Sequence, residues 1–416
     1  MKVALEYGDK YNIKDNVKYA VRGITKIVQK IGPRAPGSPE ELRAQEWMAR
    51  DLKNYCENVN IEEFTVHRQA FMGFIPFTVA CAIAAVITYW FASALASLIL
   101  VILGFIPLIF EFVMYKRFID KLFKGHTSHN VEAVRKPVGE VKKRIIFVGH
   151  SDSQYEWTLN YLFGGNGMKA VLIPAVVGLV VQLAASVVAL IMNGIAPVKS
   201  ADSTFLKVMM IVISIFVPFQ LAFLLFQSFT RSVPGANDNL SGCFTGIAAI
   251  KAMDEAEVRF ENTEVVMVCS GSEEAGLRGS KAYNELHYDE LHNENIETCV
   301  IALDTFRDLS DMAIYDRDLS GTVQHDLATK EMLKEAAANC GFDLKYESVY
   351  IGGSDAASFT QKGVKATCLC AMDPTPPKYY HTRLDDVNML VPDAIEAGIN
   401  ICIETACLFD KRGLTK

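Results

Sequence analysis

Five short stretches of this chain bring together side chains that hold cations or move protons. The apolar run Ile145-Ile146-Phe147-Val148-Gly149 ends in His150-Ser151-Asp152. Val265-Val266-Met267-Val268-Cys269 is followed by Gly271-Ser272-Glu273-Glu274, and Val300-Ile301-Ala302-Leu303 leads into Asp304. Two further pieces are Gly235-Ala236-Asn237-Asp238-Asn239-Leu240-Ser241-Gly242, ahead of a helical segment, and Tyr380-His381-Thr382, after a proline-rich loop. Imidazoles and carboxylates ligate divalent cations and serve as general acids and bases. Singly, each piece has an ordinary structural explanation: a lone histidine is a satisfied polar group, and Asp-Asn before a helix is a cap. Five of them at strand ends or helix starts argue for one shared site.

The elements that must position these groups alternate. Short apolar runs at Arg144–Val148, Glu264–Cys269, Thr298–Leu303 and Ala366–Ala371 read as strands. Helical spacing covers Asp15–Lys30, Pro39–Tyr55, Leu240–Met253, Leu327–Cys340 and Pro392–Leu408, with Ser38 and Pro39 forming a start signal for the second. This order predicts an open α/β sheet, whose ligands collect beyond the carboxyl ends of the strands.

Composition adds a second layer. Of 416 residues 50% are hydrophobic and only 21% charged, and the mean hydropathy is +0.18, so neither a disordered chain nor a disulfide-stapled scaffold is expected. A net charge of -7 gives no general attraction to nucleic acid. The apolar excess is concentrated. Between Arg68 and Arg117 the only charges are Glu111 and Lys116; between Lys169 and Arg231 they are Lys199, Asp202 and Lys207. Each interval is long enough for two membrane spans, a span taking about 20 apolar residues. They read as Phe71–Phe91 with Leu95–Met114, and Ala170–Met192 with Leu206–Gln227. The expected division is therefore 1–69, 116–169 and 230–416 as three parts of one catalytic domain, interrupted by transmembrane hairpins at 70–115 and 170–229. Hairpins return the chain to the side it left. Arg68, Lys116, Arg117, Lys121, Lys124, Lys169 and Arg231 flank that side, which the positive-inside rule places in the cytoplasm. Met1–Asn16 has no apolar signal region, and ten cysteines without a framework fit a reducing compartment. Cys368 and Cys370 read as small buried strand residues rather than metal ligands.

The motif set resembles the dinuclear zinc aminopeptidases of peptidase family M28. The resemblance rests on His150-x-Asp152, Gly235 to Gly242, Glu273-Glu274-x-Gly276-Leu277-x-Gly279-Ser280, Asp304 and Tyr380-His381-Thr382-x-x-Asp385, with Arg34-x-x-Gly37-Ser38 near the start. It implies a mixed central sheet flanked by helices, into which this chain inserts four transmembrane helices. His150 and Asp238 lie farther apart than the family usually has them; removing the roughly 68 residues of the second insert, longer than its two spans, restores an interval of about 20. The resemblance further implies two divalent metal ions, zinc first, with cobalt or manganese able to use the same donors. Asp238 would bridge them, His150 and Asp304 would complete one, and Glu274 and His381 the other. Asp152 would orient the His150 imidazole, Glu273 would be the general base that activates a metal-bridging water, and the Asp238–Asn239 peptide is expected to be cis. Tyr380 is read either as an oxyanion donor or as packing. Gly352-Gly353-Ser354-Asp355 is read either as a loop near the site or as a glycine-requiring turn.

Three functions follow as expectations. The first is a membrane-anchored aminopeptidase acting on peptides with a free amino terminus. The second keeps the metals but changes the reaction to that of another amide hydrolase or a glutaminyl cyclase, the latter typically using one metal. The third is a non-catalytic membrane scaffold. No proposed polar group falls within a span, so the hairpins are read as anchor and positioning device, and the specificity pocket as built from loops. A reporter fused at Lys416 is expected to be active only if it works in the cytoplasm; activity of a reporter that works only on the opposite side would reverse the orientation.

Overall fold

In the computed structural model, residues 10–348 and 352–414 are described. Most of the Met1–Asn16 stretch, and Lys416, lie outside them. Among the described residues nine strands make one sheet: β1 (Asn58–Val66), β2 (His126–Arg135), β3 (Lys143–His150), β4 (Thr263–Ser270), β5 (Glu297–Phe306), β6 (Met312–Asp318), β7 (Val323–Gln324), β8 (Lys345–Ser348) and β9 (Lys365–Ala371). The spatial order is β1-β2-β4-β3-β5-β9-β6-β7, with β8 beside β6. The centre, β4-β3-β5-β9, is parallel. β1 and β2 join it antiparallel on one side and β6 on the other, so the sheet is mixed.

Alternation along the central strands divides the core between two faces. Ile145 and Phe147 of β3, Val265 and Met267 of β4, and Ile301 of β5 face helices Ile13–Lys30, Gly242–Glu255 and Pro392–Arg412. Ile146, Val148, Val266, Val268 and Val300 point the other way, toward Tyr283 and Phe359 on helices Arg278–Leu286 and Asp355–Gln361. Strands covered on both faces have no polar alternation, which is why these runs read as continuous apolar sequence. Cys368 and Cys370 lie in the second cluster, and all ten cysteines are buried and free.

Several boundaries differ from expectation for identifiable reasons. The helix from Pro39 ends at Leu52 rather than Tyr55, because the chain turns there to enter β1. β5 continues past Leu303 through an irregularity between Asp304 and Phe306, so Asp304 stands within the strand, still paired to β9, rather than after it. The regular helix begins at Gly242, not Leu240; residues Ala236–Ser241 form an irregular turn containing a cis Asp238–Asn239 peptide.

Among the described residues four helices are long and apolar enough to cross a membrane: Ala70–Phe91, Ala94–Val113, Thr158–Asn193 and Thr204–Phe223. The third starts at Thr158 rather than Ala170, with a break at Gly164, because its first turn is tied to the Tyr380-His381 loop: Trp157 N donates to His381 O (2.7 Å) and Asn160 Nδ2 to Tyr380 O (2.7 Å). The fourth stops at Phe223, short of Gln227, and is interrupted at Phe216, where Pro218 cannot continue the hydrogen-bond ladder. The second changes to a wider turn over Leu108–Val113 after Pro107. Ser97 with Ser186 (2.8 Å) joins the first hairpin to the second, and Gln182 with Gln220 (3.1 Å) ties the two helices of the second to each other; small and amide side chains of this kind are the polar contacts that apolar helices use where they pack closely.

Candidate metal centre

The carboxyl ends of β3, β4 and β5 deliver His150, the Glu273-Glu274 pair and Asp304 to one cavity. The turn at 236–241 brings Asp238 to it, and the loop after β9 brings His381. The two oxygens of Asp238 face different imidazoles. Oδ1 lies 3.2 Å from His150 Nε2, and Oδ2 lies 2.8 Å from His381 Nε2. Asp304 Oδ1 is 4.0 Å from His150 Nε2, and Glu274 Oε1 is 3.2 Å from His381 Nε2. Two donor sets of ligand spacing share Asp238: His150, Asp238, Asp304 and Asp238, Glu274, His381. A third, His150, Glu273, Glu274, overlaps them. Glu273 Oε2 stands 3.9 Å from His150 Nε2 while Glu274 turns to His381 and accepts from Gln154 Nε2 (2.7 Å), so the adjacent glutamates address different imidazoles.

These groups fit cations. Asp238 Oδ2 and Glu274 Oε1 are buried and receive no well-aligned hydrogen bond. Burial raises Glu273 well above the usual carboxylate range, with Glu274, Asp355 and Asp304 adding to it against the pull of His150. Burial and neighbouring Asp238 push Asp304 up to about 7 despite His150. Burial opposes ionisation of Asp238 as well, but His381 and His150 outweigh it and hold Asp238 below its ordinary value. Burial would lower His381, yet Glu274 and Asp238 raise it to about 9. Carboxylates in excess of their positive partners, with unused oxygens turned inward, form the environment that a divalent ion neutralises.

A surrounding layer holds the donors. Asp152 lies with Oδ1 3.4 Å from His150 Nδ1, and its two oxygens also accept the backbone N–H groups of Glu273 and Glu274, each at 3.1 Å. It therefore faces both the imidazole and the glutamate turn. Asp385 accepts from the backbone N–H groups of Asn237 and Asp238 and from Asn237 Nδ2 (2.7 Å). Tyr380 lines the cavity, its ring stacked on His381 with centroids 3.7 Å apart and edge-on to Trp157. Burial and the site carboxylates raise its phenol far above its usual range, so it stays a donor. Gly352 and Gly353 also line the cavity; Ser354 bonds Asp318, and Asp355 accepts from Ser270 Oγ (2.6 Å) at the end of β4.

Arg34 has no counterpart among the expected site residues. It is fully buried, and its guanidinium donates to the carbonyls of Ser151 (2.8 Å), Pro234 (2.7 Å) and Gly235 (2.8 Å), while its backbone N–H donates to Ser153 Oγ (2.9 Å). One side chain thus joins the segment after His150 to the segment before Asp238. Gly235 is required there: its φ is +60°, and a Cβ would stand 2.9 Å from Arg34 Nη2 and 2.6 Å from Asp238 O. Burial lowers the guanidinium to about 10, which leaves it charged at neutral pH. The only sign of this in sequence is the Arg34-x-x-Gly37-Ser38 motif.

Residues 223–406 match the model of peptidase family M28. Among solved structures, a zinc aminopeptidase from Bacillus subtilis aligns at TM-score 0.54 and 15% identity, over 95% of both chains. An aminopeptidase from Aneurinibacillus sp. strain AM-1 aligns at 0.55 and 15%, over 96% of this chain and 94% of that one. A Fimbriiglobus ruber glutaminyl cyclase aligns at 0.55 and 13%, over 94% of this chain and 95% of that one. No curated protein matches. The shared fold is that of the mixed sheet described above, and the family match supports a metal-dependent hydrolase that uses divalent metal.

Arg34→Met is expected to remove the guanidinium donor from the buried carbonyls of Ser151 and Gly235 and from the part-buried one of Pro234, at about 1–3 kcal/mol for each buried group left unpaired. Thermal unfolding in detergent should show a melting temperature lowered by several degrees, with Arg34→Lys recovering only part of the loss; an unchanged melting temperature would show that Arg34 does not hold the two segments.

Proposed function

We propose, proceeding from the M28 match over residues 223–406, that this protein is a membrane-anchored dinuclear metallo-aminopeptidase hydrolysing the amino-terminal peptide bond of peptides. The observation that carries this reading is the division of one buried carboxylate, Asp238, between the imidazoles of two separate donor sets. His150, Asp238 and Asp304 would hold one ion and Asp238, Glu274 and His381 the other; such a pair supplies Lewis-acid polarisation of the scissile carbonyl and a lowered pKa for water.

The remaining work falls to protein groups. Glu273, whose carboxyl enters the same cavity without belonging to the two sets that meet at Asp238, accepts a proton from the attacking water as the C–O bond forms. It returns that proton to the nitrogen as the C–N bond breaks, so that a carboxylate and a free amine leave. Asp152 fixes His150 and the glutamate turn, which keeps acceptor and water in register. Tyr380, held protonated, would donate to the developing oxyanion.

The glutaminyl cyclase fold likeness favours a second reading, in which the amine of the substrate itself attacks and ammonia leaves. The four apolar helices support membrane attachment, with the catalytic part assigned to the cytoplasmic side on flanking charge.

Glu273→Gln should retain metal and fold but lower kcat on a free-amino-terminal peptide about 10²- to 10⁴-fold, because the water loses its acceptor. Turnover of the same peptide with its amino group blocked should be absent in the unaltered protein, and chelation should abolish activity. Near-normal turnover by Glu273→Gln removes that residue from the mechanism; release of ammonia from an amino-terminal glutamine, without hydrolysis of any peptide, selects the cyclase.

A further inference from the structure

The cavity that holds the donor groups is closed on one side by residues that enter from the first apolar hairpin. Phe71 and Met72 come from the opening turn of its first helix, Phe112 from the closing turn of its second, and Tyr115 from just beyond. These groups form a continuous surface: the Phe71 ring lies 4.7 Å from Tyr115 and 6.0 Å from Phe112, centroid to centroid. They share an apolar cluster with Trp157 and Leu277.

The wall is built onto the glutamate turn. A Cβ on Gly276, two residues after Glu274, would lie 2.8 Å from Phe71 Cδ2, so the ring rests directly on that backbone. Arg278 then fastens the far end of the hairpin. Its Nη2 donates to Glu111 Oε2 (3.1 Å) and Asp120 Oδ1 (2.7 Å), and its Nη1 to Gly276 O (3.0 Å). Glu111 Oε1 accepts the backbone N–H groups of Phe118 and Ile119, each at 2.6 Å, and Lys281 donates to Tyr115 O and Gly276 O. Arg278 and Glu111 are buried, and a buried charge pair of this kind gains from being held in one arrangement. The turn bearing Glu273 and Glu274 and the exit of the hairpin are therefore tied to each other by side-chain contacts.

We infer that the first hairpin supplies the side-chain-selecting surface of the site, with Phe71, Met72, Phe112 and Tyr115 as specificity-determining residues for a substrate whose first residue carries an apolar side chain. This rests on the aminopeptidase reading above. An aromatic and thioether wall facing a carboxylate cluster separates the two ends of such a substrate: the ammonium and scissile carbonyl lie toward the polar groups, and the side chain lies against Phe112 and Met72. A hydrophobic pocket discriminates by fit, each methylene gained or lost being worth about 10- to 200-fold.

Phe112 is the residue to alter, because it is only half buried and its loss leaves the Arg278 contacts in place. Three peptides identical except for alanine, leucine or phenylalanine at the amino terminus serve as probes, with full-length protein in detergent. Phe112→Ala should raise the phenylalanine-to-alanine ratio of kcat/KM about tenfold or more, and Phe112→Trp should lower it, while metal content and melting temperature stay near those of the unaltered protein. Leu122→Ala, at an exposed side chain on the hairpin's exit that does not line the cavity, should leave the ratio within about twofold and serves as the control. If both Phe112 variants change all three peptides by the same factor, or lose fold while Met72→Ala also leaves the ratio unchanged, the hairpin does not select the side chain. If the unaltered, metal-loaded protein cleaves none of the three, the aminopeptidase reading falls and this inference with it.

Discussion

A buried carboxylate shared between two imidazoles is the constraint on which the structure turns. Ionised carboxyl groups withdrawn from water are expensive unless positive charge and hydrogen bonds reach them. Here Asp238, Glu273, Glu274 and Asp304 share one space with two histidines, and oxygens of Asp238 and Glu274 remain without well-aligned donors. The surrounding layer is best understood as what keeps this arrangement from relaxing. Asp385 fastens the turn before Asp238, Asp152 fastens the glutamate turn, and Arg34 joins the segments that carry His150 and Asp238. Each is buried and each makes several contacts, as preorganised donors require.

The apolar helices have a closer relation to the site than an anchor would need. The second hairpin begins at Thr158, directly after Trp157 donates to the His381 carbonyl. The first ends where Glu111 meets Arg278, and its aromatic residues close the cavity. Both insertions therefore enter and leave the catalytic part beside the donor groups rather than at a remote loop. The expectation that no catalytic polar group lies within a span still describes the positions of the donors. What it leaves out is that apolar residues at the hairpin ends are themselves part of the cavity wall.

How much of this could be read from sequence follows from burial. β3, β4, β5 and β9 are covered on both faces, so they appear as uninterrupted apolar runs with acid or imidazole at their ends. β1, Asn58-Val-Asn-Ile-Glu-Glu-Phe-Thr-Val66, and β2, with His126, His129 and Glu132, carry too many polar residues to stand out; their strand form comes from pairing to each other and to β4. The donor residues were legible because few other roles explain so many of them in that order. Arg34 was legible only as part of a motif, since a single arginine in a polar loop ordinarily reads as surface, and its role depends on carbonyls about 120 and 200 residues away in the chain. Asp304 reads from sequence as following its strand, whereas it lies within β5, because a bulge leaves no mark in composition. The hairpin contribution was hidden for the opposite reason: Phe71, Met72 and Phe112 look like lipid-facing residues until the glutamate turn is seen to lie against them.

The most direct test of the shared-carboxylate account is the metal content of the purified full-length protein, measured by elemental mass spectrometry after removal of loosely bound ions, together with Asp238→Ala. The account predicts two divalent ions per chain in the unaltered protein and loss of both in the variant, because each donor set relies on the same residue. One ion per chain in the unaltered protein, or two retained after Asp238→Ala, would contradict it.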